Sequence, residues 1–159
     1  MLERVLAFLL IVGCFSQVCV GINSYARQVD DSNIVVEQVY EDGSYIESTI
    51  EQNDQEGYAR SSTVSGSKKY SYKNSSGKVI WTAVLHGNFT YNGTSAKCIS
   101  TSLTVSISNH SWKVTEKNNY ASGSSAVGKM VTKRYISGVA VQTVSRTLKL
   151  TCTASGKLK

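Results

Sequence analysis

The sequence predicts an all-β fold, an antiparallel β-sandwich of the Ig-like or a similar type. Apolar and polar residues alternate with the period of two that is typical of β-strands. Turns are marked by Gly and Asn in a chain that contains no Pro, and no segment after residue 26 shows a helical period. Six to eight short strands joined by such turns favour two packed sheets.

Residues 1–26 have the layout of a cleavable signal peptide. Arg4 precedes an apolar run that ends at Ile22, and Ser24-Tyr25-Ala26 supplies small residues where a signal peptidase cuts. Polar residues interrupt the run, which is too short for a comfortable membrane span. We therefore expect a secreted, extracellular protein that begins at Arg27.

Two other processing routes fit the same leader. Cleavage after Gly21 is the near alternative to cleavage after Ala26. The tetrapeptide Ile11-Val12-Gly13-Cys14 also fits a bacterial lipobox, in which Cys14 would be lipidated and become the mature N-terminus.

Cys98 and Cys152 are the cysteines that remain once the leader is removed. In an oxidising compartment they most simply pair with each other. In the chain-entropy picture, closing a loop of this length stabilises the fold by about 4 kcal/mol. The alternative is a pair of buried free thiols. The two histidines lack the spacing of a zinc site, so no metal is predicted.

Charge divides the chain into an acidic and a basic part. Residues 27–57 contain nine acidic residues against Arg27, a net charge of −8, whereas residues 58–159 contain fifteen Lys and Arg against Glu116, a net charge of +14. Such asymmetry indicates an acidic segment that folds back on a basic domain, a basic surface that binds a polyanion, or two solvated faces without a charge-specific role.

The elements before residue 78 are predicted to be a hairpin and a linker. Residues 33–50 form two strands around the turn 41–44, where Asp-Gly is a strong hairpin signal. Residues 51–67 are polar and predict a loop, and residues 68–73 predict a short basic strand. The domain prediction is therefore a signal peptide over 1–26, an acidic hairpin with a polar linker over 27–77, and a basic β-sandwich domain over 78–159.

Longer strands follow from residue 78. Residues 79–91 are apolar on both faces, which predicts a central strand, and Gly87 indicates a bulge or a close backbone approach. Residues 97–108 alternate strictly, which predicts that Ile99 is buried together with every second residue after it. Trp112 opens another strand with its exit at Asn118-Asn119 and Gly123. Residues 126–136 and 139–152 predict a hairpin around Ser137-Gly138.

Three segments carry a resemblance to other proteins. They are Trp81 to Cys98, the Ser-Trp-Lys-Val of residues 111–114, and the closing Leu-Lys-Leu-Thr-Cys of residues 148–152. Together they resemble small secreted proteins of unknown function from anaerobic Gram-positive bacteria, over about residues 78–159. The resemblance implies a β-rich extracellular domain with the same two cysteines, and it implies no activity.

The basic domain contains few residues that could serve in catalysis. A nucleophilic hydrolase needs a base held by an acid, and the basic domain offers His86, His110 and Glu116. A glycosidase needs two carboxylates on one bond, and Glu116 has no acidic neighbour after residue 57. No phosphate-binding glycine motif is present. We therefore expect no enzymatic activity, no cofactor and no nucleic-acid partner.

Tyrosines interleaved with lysines between residues 68 and 73 are the candidate ligand-binding residues. Such a composition grips polyanions or stacks on sugars, although lysines also protect edge strands from aggregation. The candidates are Lys68, Lys69, Tyr70, Tyr72 and Lys73. The first functional hypothesis is a binding module for an anionic cell-wall polymer or membrane surface. The second is an antimicrobial or toxin-like effector that the acidic segment shields.

Overall fold

The computed structural model describes residues 34–54 and 62–159, which form eight antiparallel β-strands, so the all-β prediction is confirmed for this part of the chain. The strands are β1 (Val35–Val39), β2 (Tyr45–Asp54), β3 (Ser62–Lys73), β4 (Val79–Tyr91), β5 (Ala96–Ile107), β6 (Trp112–Ser122), β7 (Ser125–Ile136) and β8 (Val139–Thr151). None of the described residues belongs to a helix that is long and apolar enough to cross a membrane. The predicted leader and its cleavage sites lie outside the described residues.

The strands form two sheets in sequence order. The first sheet has the order β1-β2-β3-β4-β5 and the second β6-β7-β8, so within each sheet every strand pairs with its neighbours in the chain, and the chain changes sheet between β5 and β6. Two antiparallel sheets agree with a sandwich-like arrangement. An Ig fold needs Greek-key connections, and none joins the described strands. The short turns between successive strands account for this meander, because they leave each strand beside the one before it.

The core lies between the two sheets. On β4, Trp81, Leu85 and Phe89 are fully buried, and Leu148 and Leu150 of β8 face them from the second sheet. β4 is central, as predicted, because it pairs with both β3 and β5. Its second face is apolar in the sequence but only partly covered, since Thr82 and Val84 are half-buried there. The second sheet covers only one side, so the opposite face of β4 borders solvent at the exposed His86.

A bulge changes the predicted faces of β5. Phe89 pairs with Cys98 and Asn88 pairs with Ser100, so Ile99 has no partner across the ladder. The extra residue reverses the alternation at this point. Ile99 is 57% exposed, so its predicted burial is wrong, whereas Leu103 beyond the bulge is buried as predicted.

The acidic hairpin belongs to the same sheet as the basic strands. β1 and β2 form the predicted hairpin, and β2 pairs with β3 along its whole length. Residues 51–54 and 62–67 are strand, so the predicted loop is wrong at both of these ends, while residues 55–61 lie outside the described residues. The predicted domain boundary after Gly77 falls in the turn between β3 and β4, two paired strands of one sheet.

The second sheet is attached to the first at β5 and β6. β6 extends past the predicted exit at Asn118-Asn119 and ends before Gly123. The Asn119 side chain donates a hydrogen bond to the Thr101 carbonyl at 3.0 Å. The predicted hairpin of β7 and β8 is confirmed. After β8 the chain turns back, and the buried Leu158 donates its backbone N–H to the Gln52 side chain at 2.7 Å.

Candidate anion-binding face

The outer face of the β6-β7-β8 sheet presents lysines from all three strands. Ala126, Met130 and Thr132 of β7 are buried against the first sheet, so the alternating Lys129 and Lys133 point away from the core. Pairing across the sheet places side chains of the same face opposite one another. The outward lysines are Lys113 of β6, Lys129 and Lys133 of β7, and Lys149 of β8.

Two tyrosines support these lysines on the same face. The Nζ atom of Lys113 lies 5.6 Å from the centre of the Tyr135 ring, and that of Lys129 lies 5.7 Å from the Tyr120 ring. An exposed cation–π contact stabilises by about 0.5–1 kcal/mol. It also limits the motion of the ammonium groups, whose N–H donors remain available to an anion.

Acidic residues are sparse on this face. Glu116 of β6 is the one acidic residue of the chain after residue 57, and it is exposed. Four lysines therefore share the face with one carboxylate, which produces a positive local potential. We call the outer side of the β6-β7-β8 sheet, with Lys113, Lys129, Lys133 and Lys149, the basic face.

A shallow cavity lies over the middle of this sheet. Its volume is about 700 Å³, and its lining includes Glu116 and Asn118 from β6, Lys129 from β7, and Ser145 and Thr147 from β8. Ammonium, amide and hydroxyl groups are the donors that bind phosphate, sulfate or carboxylate oxygens. The donors of Lys129, Ser145 and Thr147 suit one charged unit of a larger anionic surface, while the Glu116 carboxylate repels an anion from the β6 wall of the cavity.

The structure divides the five predicted binding residues between two faces of β3. Tyr70 and Tyr72 are buried in the core, where Tyr72 stacks on Trp81 with ring centres 5.4 Å apart. Lys68 points to the same inner side, whereas Lys69 and Lys73 point outward. The five residues therefore do not form one site, and the two tyrosines are closed to a large ligand.

Ion pairs also occupy two of the predicted lysines. Lys68 lies 3.0 Å from the Glu37 carboxylate and Lys73 lies 2.5 Å from that of Glu47. Burial opposes ionisation of Glu37, but hydrogen bonds from Ser48 and Lys68 outweigh it and lower the pKa of Glu37. These contacts neutralise two of the three lysines of β3, which leaves the basic face as the better candidate.

A second cavity borders the Lys68 pair. It has a volume of about 570 Å³ and is lined by apolar and polar residues of β1–β3 and by the C-terminal Lys157, Leu158 and Lys159. The Glu37 carboxylate competes there with any anion for the Lys68 ammonium, and the Ser48 hydroxyl donates a hydrogen bond to that carboxylate at 2.6 Å. This cavity is therefore weaker than the basic face as an anion site.

Cys98 and Cys152 are brought to the same turn. The backbone N–H of Cys98 donates to the Gly123 carbonyl at 2.8 Å, and that of Cys152 donates to the Ser124 carbonyl at 2.9 Å. Both side chains are buried free thiols, and burial raises the pKa of each. The Cys98–Cys152 disulfide stays a prediction.

The two histidines that were candidate catalytic bases lie at different places in the fold. His86 is on the outer side of β4, and His110 is in the turn between β5 and β6; both are exposed. No three His, Cys, Asp or Glu side chains of residues 34–54 and 62–159 are grouped as metal ligands. The expectation that the protein has no enzymatic activity stays a prediction.

The basic face was missed from the sequence because its lysines come from three strands that are distant in the chain. One signal was available: Tyr120, Lys129, Lys133 and Lys149 follow Glu116 in a segment without further acidic residues.

Comparison with protein-family models, with curated proteins and with solved structures found no match.

Proposed function

We propose that the protein is an exported, non-enzymatic β-sandwich module that binds an anionic extracellular surface through its basic face. The single observation that carries the proposal is the set of four outward lysines that share one sheet face with one carboxylate. The signal peptide and the Cys98–Cys152 disulfide belong to the same proposal. They would deliver the module to the cell exterior and stabilise it there.

The physical basis of such binding is the release of counterions. A polyanion that meets several lysines loses condensed cations, so the affinity falls steeply as the salt concentration rises. The outer face of an open sheet presents its lysines along a surface rather than in a deep cleft. That geometry favours an extended anionic ligand over a small enclosed one.

Retention on immobilised dextran sulfate across a salt series tests the proposal. The exported protein is compared with a variant that carries Lys113→Gln, Lys129→Gln and Lys133→Gln. The slope of the logarithm of retention against the logarithm of salt concentration should decrease by about one for each lysine lost.

A matched variant removes the same charge elsewhere. Lys69, Lys78 and Lys97 are exposed residues of the five-stranded sheet and its turns, and their replacement by Gln should change the slope much less. Equal losses in the two variants would mean that net charge, not the basic face, governs retention. Negligible retention of the wild-type protein at low salt would contradict the proposal as a whole.

A further inference from the structure

The hairpin of β7 and β8 ends in an exposed apolar tip. Ile136 is 52% exposed, Val139 is 65% exposed and Val141 is 51% exposed. Residues 136–141 are all exposed, so no part of the described protein covers these side chains. Three large aliphatic residues within six positions form a patch, which differs from the isolated exposed apolar residues of an ordinary surface.

Backbone pairing holds this tip in a defined shape. Ile136 pairs with Val139, and Ser137 and Gly138 between them have φ values of 49° and 82°. Two successive residues with positive φ match a tight hairpin turn, whose twist suits the flanking strands. The aliphatic side chains are therefore held in solvent by an ordered ladder.

The tip extends past its nearest support. The backbone N–H of Tyr135 donates to the Ser111 carbonyl at 2.7 Å, which joins the hairpin to the turn between β5 and β6. A register shift between Arg134 and Tyr135 leaves Val141 without a ladder partner, and an extra residue of this kind re-aims its side chain.

Cationic residues surround the base of the tip. Lys133 and Arg134 directly precede it on β7, and Lys113 lies opposite Lys133 on β6. Residues 125–151 contain five Lys and Arg and no acidic residue. The carboxylate of Asp42 in the β1–β2 turn interacts electrostatically with Arg134 near the tip, and that of Glu37 interacts with Arg146 farther along β8.

We infer that the tip at residues 136–141 inserts into the interfacial region of an anionic lipid bilayer while the lysines at its base contact the headgroups. This inference rests on the proposed function and selects a lipid membrane over a cell-wall polymer. A polymer of charged units forms ion pairs with the lysines but has no apolar region that could bury the aliphatic side chains. A bilayer satisfies both, because apolar side chains enter the acyl boundary and basic residues meet the anionic headgroups.

A second copy of the chain fits the tip less well. Pairing two tips would bring Lys133 and Arg134 of each copy toward the same residues of the other, and like charges oppose such contact. An anionic bilayer has the complementary sign. Self-association therefore serves as an outcome of the test.

Binding to vesicles of phosphatidylcholine with about 30% phosphatidylglycerol tests the inference. The exported wild-type protein is compared with a variant carrying Ile136→Ser, Val139→Ser and Val141→Ser, measured by co-sedimentation. The vesicle partition coefficient of the variant should fall about a hundredfold, because three aliphatic side chains no longer enter the bilayer. Its retention on dextran sulfate should not change.

A matched control uses exposed valines at another edge. Val35 is 58% exposed and Val39 is 60% exposed on β1, and replacing Val35, Val36 and Val39 by Ser should leave vesicle binding unchanged. A single Val139→Trp variant gives an independent readout. Trp81 and Trp112 are buried, so their emission should not respond to vesicles. The emission of the new, exposed indole should shift to the blue only when anionic vesicles are present.

The outcomes separate the two proposals. Unchanged vesicle binding by the Ser variant overturns the membrane inference but leaves the basic face intact, provided that dextran sulfate retention persists. A tip-dependent dimer without vesicles also overturns it. If the wild-type protein binds neither vesicles nor dextran sulfate at low salt, the proposed function fails first.

Discussion

Gly87 shows how a missing side chain shapes the core at the residue scale. A Cβ atom built on Gly87 would lie 2.5 Å from Cζ of Phe89 and 3.1 Å from Cβ of Ala126. Phe89 and Ala126 are fully buried, so neither can withdraw easily. The sequence predicted a bulge or a close backbone approach at Gly87, and the structure shows that the side chains of Phe89 and Ala126 occupy the space beside this residue.

Replacing Gly87 by Ala should therefore destabilise the protein. We expect a loss of about 1–3 kcal/mol in the free energy of unfolding, the range for overpacking a well-filled core. Urea unfolding of Gly87→Ala measures it. Adding Phe89→Leu makes room for the new methyl group, so the double variant should lose less than the sum of the single losses. Additive losses would show that the contact with Phe89 is not responsible.

The cysteines also give a prediction at this scale. Cys98 and Cys152 are buried at one turn, and we expect them to be bonded in the exported protein. Cys152→Ser should then lower the melting temperature sharply, since the bond contributes about 4 kcal/mol in the chain-entropy picture, and should release a Cys98 thiol. Intact mass after alkylation without reductant checks the wild type directly. Two added alkyl groups would mean that no bond exists.

At the element scale, β3 places a lysine on its inner, core-facing side. Lys68 shares the inner side with Tyr70 and Tyr72, and it is accommodated there because Glu37 of β1 supplies a carboxylate. Arg146 of β8 also acts on Glu37. An inward lysine at the margin of the core thus depends on the edge strand β1.

Glu37→Gln should reduce stability by about 1 kcal/mol at neutral pH, a value appropriate to a partly exposed ion pair. The lowered pKa of Glu37 means that its carboxylate stabilises the folded state above the pKa of a free Glu, about 4.3. This contribution is lost as the pH falls through the lowered pKa. The difference between wild type and variant in urea unfolding should therefore shrink toward acidic pH. Glu51→Gln, an exposed change of the same charge on β2, is the control; an equal effect there would argue against the pair.

At the scale of the whole molecule, the acidic and basic parts of the chain are not separate bodies. Within the described residues, two ion pairs join β3 to the acidic hairpin, at Glu37 and Glu47. Ile46 of β2 is fully buried in the common core. The hairpin is therefore an integral part of the first sheet, and its removal as a shield would expose the edge of β3 and part of the core.

A fragment of residues 58–159 should consequently fail to fold stably. It would lack β1 and β2, remove Ile46 from the core, and leave the long edge of β3 unpaired and open to association. We expect rapid proteolysis and loss of near-ultraviolet circular dichroism relative to residues 27–159. A fragment that is protected, cooperative in unfolding and damaging to target cells would instead support the effector hypothesis.

Much of the local structure could be predicted from the sequence. The β1–β2 hairpin and the β7–β8 hairpin follow from Asp-Gly and Ser-Gly at positions that tight turns require. The opposite charges of residues 27–57 and 58–159 are also direct properties of the sequence.

The tertiary structure alone decided which side of each strand is covered. Alternation divides a strand into two faces, but pairing and bulges determine which residues occupy them, as the exposure of Ile99 and the inward position of Lys68 show. The basic face likewise depends on three strands lying side by side. Its lysines are close in space because β6, β7 and β8 pair in register, and a pattern read along one strand at a time contains no information about that register.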